Sequence, residues 1–284
     1  MSTIDPLVQT DWLDSHLDDP DLRVYDCTAF FTAPEGRMHF DSGAEAYSQG
    51  HIPGSGFMDI LSELSDGASP LTLQRLGADA FSRAMSHYGV GDGVRVVLYD
   101  RQMSMWATRV WWMLRAMGFE DAAVLDGGWH KWTTEERAVS TAPAHIPAAT
   151  FTPKPRPDLF VGRDSVLAAV GREDTAIVSA LTPELHSGEG LDIVERGHIA
   201  SSTCVPFTEM VDPETMAFLP VDALRAKFDA AGASSAKQAI TYCGCGIAAT
   251  SDAFALHLAG RDNVAVYDGS IEEWSKDPNL PMER

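Results

Sequence analysis

The chain has 284 residues, of which 45% are hydrophobic and 22% charged, as in an ordinary soluble globular protein of one or two domains. Its formal net charge of −20 argues against polyanionic partners, so we expect it to bind no nucleic acid and no membrane. No apolar run approaches the roughly 18 residues of a membrane span. The first residues show no basic region followed by an apolar one, so we expect no secretory signal. Because four cysteines in so long a chain are not a disulfide framework, we expect a reducing, cytoplasmic location.

Helices and strands alternate in the first half of the chain. The pattern predicts a helix at 10–17 capped by Thr10 or Asp11, a strand at 22–27, a helix at about 78–88, a strand at 94–99, a helix at about 106–117 and a strand at 122–125. The stretch 32–50 is polar and contains glycines. Prolines then accumulate between 140 and 158. We therefore predict a first domain at 1–140, a linker at 141–160 and a second domain at 161–284.

The second half repeats the landmarks of the first. Helices are predicted at about 163–170 and 247–258, and strands at 175–179, 238–242 and 264–267. A Gly-His-Ile turn occurs at 50–52 and again at 197–199, and Cys243 follows Asp100 by 143 residues. We infer two similar α/β domains, each with a parallel sheet covered by helices on both faces.

Cys243 follows a predicted strand and precedes a glycine-containing turn and a helix. A cysteine in that position faces backbone N–H groups and the positive end of a helix dipole, and both stabilise a nucleophilic thiolate. The alternative is a buried structural cysteine in a tight turn. The equivalent position of the first domain holds Asp100, which indicates one working domain and one supporting domain.

Several ordered pieces extend over both halves. They are 50–55, 109–115, 125–129, 195–199, the loop that starts at Cys243, and 267–270 with Trp274 and Pro281. This set resembles the tandem-domain rhodanese family, the thiosulfate and 3-mercaptopyruvate sulfurtransferases. The resemblance implies an inactive first domain and a cysteine-bearing second domain.

The resemblance also implies a double-displacement reaction without metal or organic cofactor. Cys243 would take a sulfane sulfur from a small anionic donor, thiosulfate or 3-mercaptopyruvate, and pass it as a persulfide to cyanide or a thiol. A thioredoxin-like reductant is among the candidate partners. Backbone N–H groups of the loop would stabilise the persulfide; the loop residues are Gly244, Cys245, Gly246, Ile247, Ala248 and Ala249.

The uncharged loop looks more like the mercaptopyruvate type, which has Ser or Thr where Cys245 stands. The family's Asp and Arg after the first strand of the second domain are replaced by Ser179 and Leu181. Its substrate arginines in the next segment have no counterpart at 184–188. Three other arginines could take part in substrate binding, namely Arg196, Arg101 and Arg109.

Two other functions are weighed against sulfur transfer. A phosphatase or arsenate reductase of this fold needs an arginine where Ala249 stands, which disfavours both. A non-catalytic or redox-sensing protein could use Cys243 and Cys245 as a thiol pair. His51 and His198 occur in both repeats, which favours a structural role, and no His/Cys spacing suggests a metal site.

Overall fold

The computed structural model describes residues 4–284, and two five-stranded parallel sheets form its framework. The strands in chain order are β1 (Leu7–Val8), β2 (Leu22–Asp26), β3 (Ala29–Thr32), β4 (His39–Ser42), β5 (Gly56–Phe57), β6 (Arg95–Tyr99), β7 (Ala122–Leu125), β8 (Phe160–Val161), β9 (Thr175–Ser179), β10 (His198–Ile199), β11 (Ser202–Cys204), β12 (Gln238–Tyr242), β13 (Val264–Tyr267) and β14 (Met282–Glu283).

The helices are short and lie between the strands. They are α1 (Thr10–His16), α2 (Ala44–Gln49), α3 (Ala78–His87), α4 (Met105–Ala116), α5 (Gly128–Thr134), α6 (Arg163–Ala169), α7 (Pro183–His186), α8 (Val221–Ala230), α9 (Ala249–Leu258) and α10 (Ser270–Trp274). Within residues 4–284, none of them has the length and apolar character needed to cross a membrane. The N-cap of α1 is Gln9, without a side-chain capping bond, rather than the predicted Thr10 or Asp11.

The two sheets have the same topology. The first runs β1-β7-β6-β2-β5, and the second runs β8-β13-β12-β9-β11, with all neighbours parallel. Strands β6 and β12 occupy the centre of their sheets. Strand β6 ends directly before Asp100, and β12 ends directly before its counterpart Cys243. The predicted repeat of two α/β domains is confirmed, because the two parallel sheets share one strand order. Four of the five residues of each central strand are buried, as expected for a sheet covered on both faces.

Helices α4 and α9 pack against each other at the centre of the contact between the domains. Trp111 of α4 packs edge-on against Phe254 of α9 with ring centroids 4.8 Å apart. The Thr108 hydroxyl lies 3.2 Å from that of Thr250 and 3.3 Å from that of Ser251. Almost every residue of both helices is buried, which is why neither sequence shows a polar face.

An antiparallel hairpin, β3–β4, rises from the first domain inside the stretch where the sequence predicts no element. Residues along it alternate between exposed positions, such as Arg37 and His39, and partly buried ones, such as Met38 and Phe40. The partly buried side chains Met38 and Phe40 face residues of the second domain, so the hairpin of the first domain covers part of the second domain's surface.

The proline-rich segment after the first domain packs along that domain without forming a regular element until Pro157. Its Lys154 and Arg156 N–H groups donate to the Met117 and Ala116 carbonyls, both over 2.7 Å. Phe160, at the end of the predicted linker, begins strand β8 of the second sheet.

Candidate active site

Cys243 stands directly after central strand β12, at the carboxyl edge where parallel sheets place their functional loops. Its N–H donates to Ser270 Oγ over 3.1 Å, and its carbonyl accepts from the Ile271 N–H over 3.1 Å. The first turn of α10 therefore holds the main chain of Cys243 from behind. The side chain is buried, with 2% of the residue exposed.

The loop after Cys243 presents a run of backbone N–H groups without oxygen partners. Within residues 4–284, none of the N–H groups of residues 244–249 donates to an oxygen atom. Gly246 makes the required turn with φ +83°, and a Cβ there would lie 2.6 Å from the Asp268 carbonyl oxygen. Only glycine fits that position. The Ile247 N–H bonds the Cys245 thiol. Buried N–H groups are normally paired, so the others are available to an anion on the Cys243 sulfur.

The first domain shows what such a loop binds. There the Asp100 carboxylate accepts four hydrogen bonds of 2.7 to 3.1 Å from its own loop. The donors are the N–H groups of Gln102, Ser104, Trp106 and Ala107. Burial raises the pKa of Asp100 to about 6, while these bonds oppose the rise. The first-domain loop is thus an anion cradle filled by its own side chain, and at the paired position the second domain has a thiol.

A cavity of about 80 Å³ opens onto Cys243, and both domains line it. The first domain contributes Phe31, Met38, Phe40, Met105 and Trp106, and the second contributes Ala180, Leu181, Leu185, Leu191 and Phe207 together with the loop. A Cβ on Gly244 would meet the Met38 sulfur at 3.3 Å, so the hairpin lies directly over the loop. The space in front of Cys243 is apolar and is completed by the first domain.

The structure does not bring the three predicted arginines into this cavity. Arg196 donates to the carbonyls of Ser275, Asp277, Pro278 and Leu280 and so fastens the C-terminal segment. Arg101 pairs with Asp26 over 3.4 Å and lies 4.1 Å from the centre of the Trp129 ring. Arg109 lies behind the loop, and none of the three is among the residues that line the cavity.

Arg109 connects the first domain to the loop that follows Cys243. Its Nη1 donates to Asp268 Oδ1 over 2.6 Å and to the Gly246 carbonyl over 3.2 Å, and its Nη2 donates to the Leu73 carbonyl over 3.0 Å. Asp126, the counterpart of Asp268, accepts from the Phe218 N–H of the other domain over 2.8 Å. Each domain therefore offers the aspartate after its β7 or β13 strand to its neighbour.

Cys245 is a weak candidate for a second nucleophile. Burial raises the pKa of its thiol well above the usual range, and a charge on Cys243 raises it further. Burial raises the pKa of Cys27 as well, and it raises that of Cys204 to about 11. His51 is held by the Tyr47 and Ala142 carbonyls, each at 2.9 Å, as a structural residue would be.

Other parts of the described chain offer no competing centre. A cleft of about 930 Å³ near the start of β6 contains none of the predicted site residues. Within residues 4–284, no cluster of three or more His, Cys, Asp or Glu side chains is arranged to hold a metal ion.

Sequence reasoning missed the apolar residues that form the cavity. Phe31, Met38 and Phe40 belong to the first domain and are distant in sequence from Cys243, and Phe207 follows a short strand. One signal was present: Met38 and Phe40 alternate with polar neighbours, which is typical of a strand with one covered face.

Comparisons with known proteins agree with this geometry. The family described as "Rhodanese-like domain" matches residues 9–135 and 163–277. The chain is 33% identical to the 3-mercaptopyruvate sulfurtransferase of Escherichia coli (strain K12), with 97% of each chain covered. It is 32% identical to thiosulfate/3-mercaptopyruvate sulfurtransferase 2 of Arabidopsis thaliana, covering 99% of this chain and 87% of that one. The solved structure of SseA from Escherichia coli superposes with a TM-score of 0.83 at 32% identity, covering 95% of this chain and 99% of that one. The chain belongs to the rhodanese family and is a two-domain sulfurtransferase.

Proposed function

We propose that the protein moves a sulfane sulfur from 3-mercaptopyruvate or thiosulfate to a thiol or to cyanide through a persulfide on Cys243. The two donors are those named in its relatives. The observation that carries the role of Cys243 is the contrast between the paired loops. One loop holds the Asp100 carboxylate with four N–H groups. In the paired loop, the N–H groups of residues 244–249 donate to no oxygen atom among the described residues.

In the first half-reaction the Cys243 thiolate attacks the outer sulfur of the donor. With thiosulfate the S–S bond breaks, sulfite leaves with the electron pair, and the enzyme keeps a persulfide anion. With 3-mercaptopyruvate the C–S bond breaks, and the carbon takes the electron pair and the thiol proton to give pyruvate. In both cases the negative charge moves onto the outer sulfur, toward the N–H groups of residues 244–249.

In the second half-reaction an acceptor attacks the outer sulfur and Cys243 leaves as a thiolate. With cyanide the product is thiocyanate, and with a thiol it is a new persulfide. The enzyme returns to its starting state without a metal, an organic cofactor or a net change in oxidation.

The alternative of a redox-sensing protein is less well supported. The relatives are named as sulfurtransferases over nearly the full length of the chain. In addition, the raised pKa of the Cys245 thiol disfavours its attack on an oxidised Cys243 at neutral pH.

We further propose a cytoplasmic location, with no nucleic acid or membrane as partner and with a thioredoxin-like reductant among the thiol acceptors. The absence of a disulfide among the four cysteines and the net charge of −20 support the first two points.

Intact-mass measurement tests the proposed function. The reduced protein is incubated with each donor, and we expect a gain of one sulfur atom that cyanide removes as thiocyanate. Cys243→Ser should gain nothing, whereas the matched control Cys245→Ser should still be loaded. Absence of the adduct with both donors, or an adduct that persists in Cys243→Ser, would refute the proposal.

A further inference from the structure

Cys243 is almost closed off from solvent. The residue is 2% exposed and its neighbour Cys245 is 4% exposed. The cavity in front of them has a volume of about 80 Å³, which is the space of about three water molecules. Because a donor and an acceptor must both touch the Cys243 sulfur, one wall of the cavity has to move in each half-reaction.

Three walls of the cavity are fixed by hydrogen bonds. The Trp106 N–H donates to the Asp100 carboxylate over 2.9 Å. The Ala180 N–H donates to the Tyr242 carbonyl over 2.8 Å, and the Phe207 N–H donates to the Ala180 carbonyl over 3.0 Å. Moving any of these walls would break bonds that tie it to the end of a central strand.

The fourth wall is the hairpin β3–β4. Among the described residues its strands pair with each other alone. Within residues 4–284, no hydrogen bond or ion pair joins the hairpin to the second domain. It meets that domain by packing: a Cβ on Gly244 would lie 3.3 Å from the Met38 sulfur, and one on Gly36 would lie 3.4 Å from the Gly190 carbonyl oxygen. The hairpin can therefore leave the second domain without breaking a hydrogen bond.

The base of the hairpin is attached to the first domain. The Gly43 N–H donates to the Thr28 carbonyl over 3.0 Å, and a Cβ on Gly43 would lie 2.4 Å from that carbonyl oxygen. The Phe31 N–H donates to Gln102 Oε1 over 3.3 Å. Because these contacts hold the two ends of the hairpin, its tip at 33–38 is the part that can swing away from Cys243.

We propose that the hairpin β3–β4 is a lid, which closes over Cys243 between the half-reactions and lifts about its base to admit the donor and the acceptor. This inference rests on the proposed persulfide chemistry and adds control of access to it. An open lid gives an anionic donor a hydrated approach and gives a protein thiol the room that it needs. A closed lid keeps the loaded sulfur away from other thiols.

A disulfide between the lid and the second domain tests this inference. Gly36→Cys is combined with Asp192→Cys, because a Cβ on Gly36 would lie 3.9 Å from the Asp192 nitrogen. The pair is oxidised with diamide, and loading by thiosulfate is followed by intact mass. We expect the loading rate to fall at least about tenfold and to return after reduction. Each single variant, treated in the same way, should load as fast as the treated wild type.

Alkylation of the unloaded enzyme tests the lid without the engineered disulfide. N-ethylmaleimide is compared with a maleimide on a long polyethylene glycol chain, and subtraction of Cys243→Ser isolates the reaction at Cys243. Division by the rates in urea gives the protection of the thiol. Because both reagents must wait for the same opening, their protection should agree within about threefold. Cys27, which is 0% exposed, reports global unfolding and should be at least about tenfold better protected.

Two variants of the hairpin tip refine the measurement. Met38→Ala removes a side chain that packs toward the second domain, so it should speed alkylation of Cys243 by both reagents, roughly fivefold. Arg37→Gln changes the exposed neighbouring residue and should leave both rates unchanged.

The outcomes separate the lid from the proposed function. Unchanged loading of the disulfide-locked pair, exclusion of the polymer reagent alone, or equal protection of Cys243 and Cys27 would overturn the lid. Failure of both donors to load the wild type would instead refute the proposed function. The alkylation rates would then still decide whether the lid opens.

Discussion

Arg109 of the first domain and Asp268 of the second form a buried ion pair, with Nη1 and Oδ1 2.6 Å apart. The same Nη1 donates to the carbonyl of Gly246, inside the loop that follows Cys243. The pair therefore does two things at once. It fastens the domains together, and it fixes the glycine turn that gives the loop after Cys243 its shape.

Arg109→Gln should destabilise the protein by about 3 kcal/mol or more, because it leaves Asp268 buried without its cation. The turnover number should also fall, by roughly tenfold, because the Gly246 carbonyl loses a hydrogen-bond donor and the loop after Cys243 is no longer held in its position. Urea unfolding and the thiocyanate assay measure the two effects.

Two further variants show whether a loss of stability in Arg109→Gln comes from the broken ion pair. Arg156→Gln is the matched control, because its pair with Glu120 is solvent-exposed and should contribute less than about 1 kcal/mol. Adding Asp268→Asn to Arg109→Gln should recover part of the lost stability, since it removes the unpaired charge. If Arg109→Gln costs no more than Arg156→Gln, the ion pair does not organise the interface.

Cys243→Asp should abolish sulfur transfer and yet give a stable protein. It recreates in the second domain the carboxylate that Asp100 supplies in the first, where four N–H groups receive it. We expect Cys243→Asp to exceed Cys243→Ser in stability by about 1 kcal/mol, through hydrogen bonds to a charged acceptor. Urea unfolding of the two variants checks this. A less stable aspartate variant would mean that the second loop does not cradle anions as the first does.

The repeated framework of the molecule could be predicted from the sequence. Strands β6 and β12 are largely buried, so each appears in the sequence as a short, mostly hydrophobic run. Such a run can be recognised from local sequence alone. The pairing of Asp100 with Cys243 followed from the repeat. This feature of the site could be predicted without knowing any side-chain contact.

The environment of Cys243 could not be predicted in the same way. The sequence contains several arginines near the site, but only the fold shows that Arg196 binds carbonyls of the C-terminal segment and that Arg109 faces Asp268. The hairpin β3–β4 is polar on its exposed face and obtains its packing from the other domain. Such contacts join residues that are far apart in the chain, 159 positions for Arg109 and Asp268, and no local pattern encodes them.

Leu181→Arg should improve the use of 3-mercaptopyruvate. Leu181 lines the cavity, where the wild-type side chains offer a donor carboxylate no cation. An arginine there could form a bidentate pair with that carboxylate, and we expect kcat/KM to rise by about tenfold, chiefly through a lower KM. Leu167→Arg, at an exposed site on α6, is the control. An unchanged KM for 3-mercaptopyruvate in Leu181→Arg would show that the donor carboxylate does not enter this part of the cavity.

Asp252 makes the stability of the protein depend on pH. Its carboxyl group is fully buried in α9, and neither oxygen has a hydrogen-bond partner among the described residues. Burial raises the pKa of Asp252 well above its ordinary value of 3.8. Below about pH 4 the group is protonated in the folded and the unfolded chain alike, so it carries no electrostatic penalty there.

Above that pH the unfolded chain releases the proton while the folded chain retains it. The free energy of unfolding therefore falls as pH rises toward the folded pKa, by up to about 1.4 kcal/mol per pH unit from this group. Asp252→Asn removes the ionisation, so the variant should gain stability over the wild type as pH rises from about 4 toward the raised pKa of Asp252 in the folded chain. The exposed Asp229→Asn should show no such trend. Urea midpoints of the three proteins across this range provide the measurement, and parallel pH profiles for the wild type and Asp252→Asn would show that Asp252 ionises in the folded chain at no cost.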